Sequence, residues 1–114
     1  MWKVETTEAY GRWQLSLDAE SQSAVDAMVR LLQERGPMLS RPFADTLKGS
    51  RFTNMKELRV RAGRRAIRIA FAFDPARTAI LLVAGDKRGV NERLFYRRLI
   101  AEADGLFAEH LKGR

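Results

Sequence analysis

Arginine, lysine and tyrosine are the residue types that could do chemistry in this chain, and three of them are spaced so that they can meet. Arg68 lies in the middle of a predicted strand, Lys87 follows the next strand, and Tyr96 lies at the start of the last predicted helix. Guanidinium groups stabilise charge that builds on a phosphate oxygen, and a lysine among other cations exchanges protons nearer to neutral pH. The sequence therefore predicts phosphoryl-transfer chemistry with Arg68, Lys87 and Tyr96 as the catalytic residues.

Two of these residues also have a purely structural interpretation. Arg68 could form an ion pair with Asp86, and Tyr96 could belong to the core beside Phe95. Which general base such a site would use stays open at this point.

A centre of this kind contains no nucleophile, so the substrate must supply one. RNA does so through its 2′-hydroxyl, which DNA lacks. Other common arrangements are missing, because the chain has one histidine, His110, and no cysteine. That composition argues against an ordinary zinc site, and the serines lack a histidine partner for a hydrolase triad. We expect neither a metal ion nor a cofactor.

The positive charge of the chain is concentrated in one segment. Residues 48–68 carry eight basic side chains and one acidic side chain, Glu57, which equals the net charge of +7 of the whole chain. A cationic field on a rigid sheet suits a polyanion, and nucleic acid is the usual candidate. Strict alternation puts Lys56 and Arg59 on opposite faces of one strand unless a bulge intervenes. The predicted RNA-binding residues are Lys48, Lys56, Arg59, Arg61 and Arg65.

Length and composition fit one domain, residues 1–114, with a core drawn from a hydrophobic content of 46%. The lack of cysteine fits a reducing cytoplasm. The N-terminus has no apolar signal core, and the longest apolar run is too short to cross a bilayer. We therefore expect a cytoplasmic protein with no membrane partner.

Hydrophobic periodicity predicts an α+β fold of order β-α-α-β-β-β-α, with a small, mainly antiparallel sheet packed by helices. Residues 38–53 are predicted as loop, with at most one turn at 45–50, and Gly105 favours a break in the last helix. The predicted strands are 2–6, 54–61, 65–73 and 78–85, and the predicted helices are 8–16, 19–35 with Asp18 as N-cap, and a segment beyond Gly89.

The faces of two strands are informative. Ile67, Ile69 and Phe71 alternate toward a core, whereas Arg68 and the small residues Ala70 and Ala72 predict a shallow, open face. Residues 79–84 are apolar on both faces, which predicts the central strand.

Several sequence blocks occur in order along nearly the whole chain: DTLKGS at 45–50, NMKELR at 54–59, RIAFAFDP at 68–75, ILLVAGDK at 80–87, FY at 95–96, AD at 103–104 and EHL at 109–111. Together they resemble the HigB-type, phage Gp49-like branch of the RelE/ParE toxin superfamily.

The resemblance implies a bacterial type II toxin that cleaves messenger RNA in the ribosomal A site without a metal, leaving a cyclic phosphate. It also implies a partner antitoxin of the helix-turn-helix, HigA-like kind. By position, Arg68 matches the phosphate-stabilising arginine of the superfamily, and Lys87 matches the basic residue after the last strand. Tyr96 falls where some members place a catalytic tyrosine, and His110 lies farther along than the histidine that others use.

Two other functions fit the same sequence. Members of the ParE branch inhibit DNA gyrase on the same fold, and a module that binds RNA without cleaving it would need the same basic surface. The fold cannot separate these functions, but the site can. Arg68 and Lys87 together favour RNA cleavage, and the resemblance implies a toxin that acts on the ribosome, so the prediction is a ribosome-dependent endoribonuclease toxin.

Overall fold

A computed structural model describes residues 1–113, which form three α-helices and a five-stranded sheet. The predicted α+β class and element order are confirmed, with one short strand added between the second helix and the hairpin. The helices are α1 (Glu8–Leu15), α2 (Ala19–Arg35) and α3 (Glu92–Lys112), and the strands are β1 (Val4–Thr6), β2 (Ala44–Thr46), β3 (Lys56–Ala62), β4 (Arg65–Phe73) and β5 (Ala79–Asp86).

Each helix begins where a short polar side chain accepts a hydrogen bond from its first turn. Thr7 caps α1, Asp18 caps α2 and Asn91 caps α3, so backbone N–H groups without an intrahelical partner are satisfied. The expected break at Gly105 does not occur, because packing on the sheet outweighs the cost of about 1 kcal/mol for a helical glycine. No helix within residues 1–113 combines the length and apolar character needed to cross a bilayer.

The strand order is β1-β5-β4-β3-β2, and every neighbouring pair is antiparallel except β1 with β5. β4 is therefore central, and the prediction that residues 79–84 form the central strand is wrong. Those residues are apolar on both faces because α1 contacts one face of β5 and α3 contacts the other. A continuous apolar run indicates a strand covered on both sides, whatever its position in the sheet.

The sheet separates two apolar layers. Ile67, Ile69 and Phe71 pack with residues of α1 and α2, whereas Ala70 and Ala72 pack beneath α3. The predicted open face is thus wrong for both alanines, which are fully buried. Their small size marks the close approach of a helix. The Arg68 side chain at the end of this face keeps an exposed fraction of 14%.

A β-bulge in β5 sets the direction of the residues that follow it. Ala70 lies opposite Val83 and Phe71 lies opposite Leu81, so Leu82 is an extra residue. Leu82 and Val83 both pack on the α3 side of the sheet. Without this residue, alternation would turn Lys87 to the other face; with it, Lys87 lies on the same face as Arg68.

Replacing Ala72 by leucine should destabilise the protein by about 1–3 kcal/mol, because the added atoms have no space beneath α3. The free energy of unfolding in urea measures the effect. Ala27→Leu on the exposed side of α2 is the matched control, and it should change that free energy by less than about 0.5 kcal/mol. Equal stability of the two variants would contradict the close contact between α3 and β4.

Candidate active site

A buried carboxylate, Glu57 on β3, lies at the centre of a polar cluster on the α3 side of the sheet. Its side chain is 4% exposed. Oε1 accepts a hydrogen bond from Tyr96 Oη at 2.8 Å and lies 3.7 Å from Arg68 Nε, and Oε2 accepts a hydrogen bond from Arg59 Nε at 3.1 Å. Two guanidinium groups and a phenol therefore surround one carboxylate, which is the pairing that a buried charge requires.

The register of the β3–β4 hairpin explains this cluster. Arg59 and Arg68 lie directly opposite each other on neighbouring strands. Like charges in that position repel. Glu57 points to the same face as Arg59, two residues away, and it supplies the counter-charge for both arginines.

The bonds of Arg68 fix its orientation and leave donors free. Nε donates to Tyr96 Oη at 3.2 Å, and Nη1 donates to the carbonyl oxygen of Ile67 at 3.0 Å. A guanidinium has five N–H groups, so about three remain for an anion.

Tyr96 is a neutral phenol over the whole physiological pH range. Burial disfavours the phenolate, and the hydrogen bond and charge of Glu57 act in the same direction, so that the pKa of Tyr96 rises to about 12 although Arg68 opposes the shift. The hydroxyl is therefore a hydrogen-bond donor to Glu57. It does not lose its proton to solvent at physiological pH, so no phenolate is available to act as a base.

Lys87 lies at the edge of the cluster. Its Nζ pairs with Glu92 Oε1 at 2.9 Å and lies 5.6 Å from the centroid of the Tyr96 ring. The hydrogen bond and charge of Lys87 lower the pKa of Glu92. This contact holds the ammonium group beside the phenol and within the same opening.

Glu57, Arg59, Tyr96 and Lys87 line a groove of about 330 Å³ between β2, β3 and α3, and Arg68 lines a neighbouring hollow. At its outer wall, Asp45 pairs with Arg41 and Arg59. The pKa of Asp45 is lowered, first by the backbone N–H of Thr46 and then by these two arginines. The charged residues along the groove are Arg41, Asp45, Lys48, Glu57, Arg59, Lys87 and Glu92.

The structure brings Arg68, Lys87 and Tyr96 together, and Arg59 joins them. Lys48 is exposed on the wall of the same groove. Arg61 lies at a neighbouring hollow that Arg59 and Arg68 also line. The roles of these residues in catalysis and RNA binding stay predictions.

Two predicted RNA-binding residues lie away from this groove's floor. Lys56 points to the other face of the sheet, where its Nζ is 3.5 Å from the carbonyl oxygen of Pro37. Arg65 bonds to Asp18 and Ser21 at the start of α2. The direction of Lys56 follows from strand alternation, as predicted, whereas that of Arg65 follows from contact with a helix distant in the sequence.

Other expected contacts also differ. Asp86 does not pair with Arg68, because its Oδ1 accepts bonds from the backbone N–H groups of Ala66 and Arg88. His110 pairs with Asp74 at 2.8 Å and lies about 21 Å along α3 from Tyr96, so it is remote from the site. Within residues 1–113, no three histidine or acidic side chains form a group that could hold a metal ion.

Sequence reasoning missed the central residue, Glu57, which it described as an acid alone among cations. The available signal was its spacing of two from Arg59 within a strand, because residues with that spacing share a face. The contacts with Arg68 and Tyr96 had no signal in the sequence.

A family model and two named relatives are similar to this chain in sequence. The family model described as phage-derived protein Gp49-like matches residues 12–108. HigB2 of Mycobacterium tuberculosis, named as a candidate toxin, is 49% identical over 105 residues, which cover 91% of this chain and 52% of HigB2. HigB3 of the same organism, also named as a candidate toxin, is 48% identical over 93 residues, which cover 82% of this chain and 79% of HigB3. The chain thus spans about half the length of HigB2.

A solved structure shares the fold. It is a mutant of the E. coli toxin RelE in the free state, which superposes with a TM-score of 0.64 at 11% sequence identity and covers 90% of this chain and 93% of RelE. The family model, the two relatives and this shared fold agree with one another. The chain therefore belongs to the Gp49-like family, its relatives include proteins named HigB, and it shares the fold of RelE.

Proposed function

We propose that this chain is the toxin of a type II toxin–antitoxin system and that it cleaves messenger RNA on the ribosome without a metal ion. The observation that carries the proposal is the convergence of Arg68, Glu57 and Lys87 on Tyr96 beside an open groove. The relatives named as toxins support the class of protein. The proposed partner is a helix-turn-helix antitoxin of the HigA-like kind, and the proposed location is the cytoplasm.

The proposed reaction uses the RNA's own nucleophile. The 2′-oxygen attacks the adjacent phosphorus, the bond from phosphorus to O5′ breaks, and the products are a cyclic phosphate and a 5′-hydroxyl. One proton must leave the 2′-hydroxyl and one must reach O5′. Two proton-transfer groups are therefore needed, one on each side of the phosphate.

Tyr96 and Glu57 form the relay that accepts the first proton. Tyr96 Oη donates to Glu57 Oε1, so the phenol oxygen can take the proton of the 2′-hydroxyl while its own proton passes to the carboxylate. This transfer avoids a phenolate, which the raised pKa of Tyr96 disfavours. It also removes the negative charge of Glu57 as charge builds on the phosphate.

Arg68 and Lys87 act on the phosphate. Once Glu57 is neutral, the positive charge of Arg68 is no longer offset, and its free N–H groups stabilise the oxygens of the transition state. The ammonium group of Lys87 lies on the open side of Tyr96 and donates the second proton to O5′.

Replacing Arg68 or Lys87 by alanine should lower the rate of messenger RNA cleavage by about 10²–10³-fold, because the first change removes charge stabilisation from the transition state and the second removes the proton donor to O5′. Growth arrest on induction should disappear, while binding to the antitoxin stays unchanged. Transcript-end mapping and an assay on translating ribosomes measure the effect. Arg30→Ala, an exposed cation on α2, is the matched control and should keep full activity.

The same experiment separates the competing functions. Intact transcripts together with inhibited supercoiling by DNA gyrase would replace this proposal with a ParE-like activity. Full cleavage by both variants would show that the assigned centre is wrong.

Glu57→Gln should lower cleavage by at least about 10²-fold, because an amide cannot accept the relayed proton. It should also reduce the free energy of unfolding by about 1–3 kcal/mol, since the two arginines lose their shared counter-charge. Single-turnover cleavage and urea unfolding measure the two effects. Glu109→Gln, on the exposed side of α3, should change neither. A folded Glu57→Gln variant with normal cleavage would contradict the relay.

The two tyrosines of the chain provide a pH test. The pKa of Tyr96 rises to about 12, and burial and the charge of Asp26 raise the pKa of Tyr10 to about 12 as well. The stability that each neutral phenol contributes is complete below the unfolded value of about 10 and is lost as pH rises toward 12. Absorbance at the tyrosinate band should therefore show no step near pH 10 in the folded protein and two titrating groups near pH 10 in denaturant. A folded-state step near pH 10 that persists in Tyr10→Phe would contradict the environment assigned to Tyr96.

A further inference from the structure

A second groove continues from the first one along α3. Its volume is about 520 Å³, and it meets the groove around Glu57 at three shared residues, Lys48, Tyr96 and Ile100. Beyond them, its walls carry Arg93 and Arg97, one helical turn or about 6 Å apart on the same side of α3. The two grooves therefore lie side by side along α3, next to the proposed site.

The cations of the second groove have no partner within the described chain. Arg93, Arg97 and Lys48 are exposed, and within residues 1–113 none of their side chains forms a hydrogen bond, an ion pair or a ring contact. The cations of the first groove are different, because Arg59 and Lys87 are each paired with a carboxylate. The second groove thus carries positive charge that no carboxylate within residues 1–113 pairs with.

These arginines lie near the N-terminus of α3, where the helix dipole disfavours positive charge. The first two turns of α3 carry Arg93, Arg97 and Arg98, although the N-terminus of a helix bears partial positive charge and favours anionic side chains. The acidic side chain there, Glu92, pairs with Lys87. Arg93 gains nothing from the helix end, and neither Arg93 nor Arg97 has a polar side-chain partner within residues 1–113, so an anion from outside would stabilise them.

The opposite wall of the second groove is held in place by α3 itself. Asp104 accepts hydrogen bonds from Ser50 Oγ and from the backbone N–H of Arg51. These bonds tie the loop that carries Lys48 to the helix. They also occupy both carboxylate oxygens of Asp104, the acidic residue of this groove.

We propose that Arg93, Arg97 and Lys48 bind the phosphate backbone of the RNA strand as it continues from the cleaved position. The inference rests on the proposed function, since it takes the phosphate that reacts to lie beside Tyr96 and Arg68. The contacts are to phosphates and do not read bases, so these three residues add affinity at any RNA sequence. They also fix the direction in which the strand leaves the site.

The test uses RNA oligonucleotides with 2′-O-methyl groups at every position, which cannot supply the nucleophile. Binding to the full chain is measured by fluorescence anisotropy over a range of salt concentrations. For a single strand, each lost phosphate contact reduces the slope of log K against log salt by about 0.7. The Arg93→Gln/Arg97→Gln double variant should therefore lower the slope by about 1.4, equally for A-rich and U-rich oligonucleotides.

The control is Arg30→Gln/Lys112→Gln, which removes the same net charge from exposed positions outside the groove. It should leave the slope within experimental error of the unmodified protein. In the ribosome assay, the double variant in the groove should raise the RNA concentration needed for half-maximal cleavage and keep the maximal rate. Equal slopes for the two double variants would overturn the inference.

The outcomes also separate this inference from the proposed function. If the Arg93→Gln/Arg97→Gln variant lowers the slope of log K against log salt but the unmodified protein cleaves no transcript, the backbone site is supported and the endoribonuclease is rejected. Normal cleavage with an unchanged slope would reject the backbone site and keep the endoribonuclease. An unchanged slope together with lost binding to the antitoxin would show that this groove is a protein interface.

Discussion

The carboxylate of Glu57 is the interaction on which the rest of the site depends. The hairpin register places Arg59 and Arg68 side by side, an arrangement that is unfavourable without a negative charge between them. Glu57 provides that charge and also accepts the hydrogen bond of Tyr96. One buried group thus joins β3, β4 and α3 at a single point. It also orients Arg68 and Tyr96, the two residues proposed to contact the RNA.

The two halves of α3 have different tasks. The part from Leu99 onward packs Leu99, Ala103 and Phe107 on the small residues of β4 and the apolar residues of β5, which anchors the helix to the sheet. Its first half carries arginines on the walls of the grooves. Anchoring at one end allows the other end to present charge that would not be stable in an isolated helix.

The bulge at Leu82 links the core to the chemistry. It keeps two consecutive side chains of β5 in the apolar layer under α3 and reverses the alternation after them. Lys87 consequently faces the groove. Gly85, which precedes it on the same face, has no side chain, and a Cβ there would lie 3.0 Å from the ring of Phe95. The bulge at Leu82 therefore accounts both for the side chains that β5 packs against α3 and for the direction of Lys87.

The sequence by itself determined the order of the elements, the resemblance to a toxin family and the three residues that meet in the site. Periodicity, turn residues and residue types along the chain carry that information locally. Only the tertiary structure determined which strand is central, that β2 pairs with β3, and that Ala70 and Ala72 lie under a helix. It also determined that Arg65 bonds to α2 and that Glu57 binds two arginines. The physical reason is that a side chain's direction depends on strand register and bulges, and its charge partner depends on residues far away in the chain.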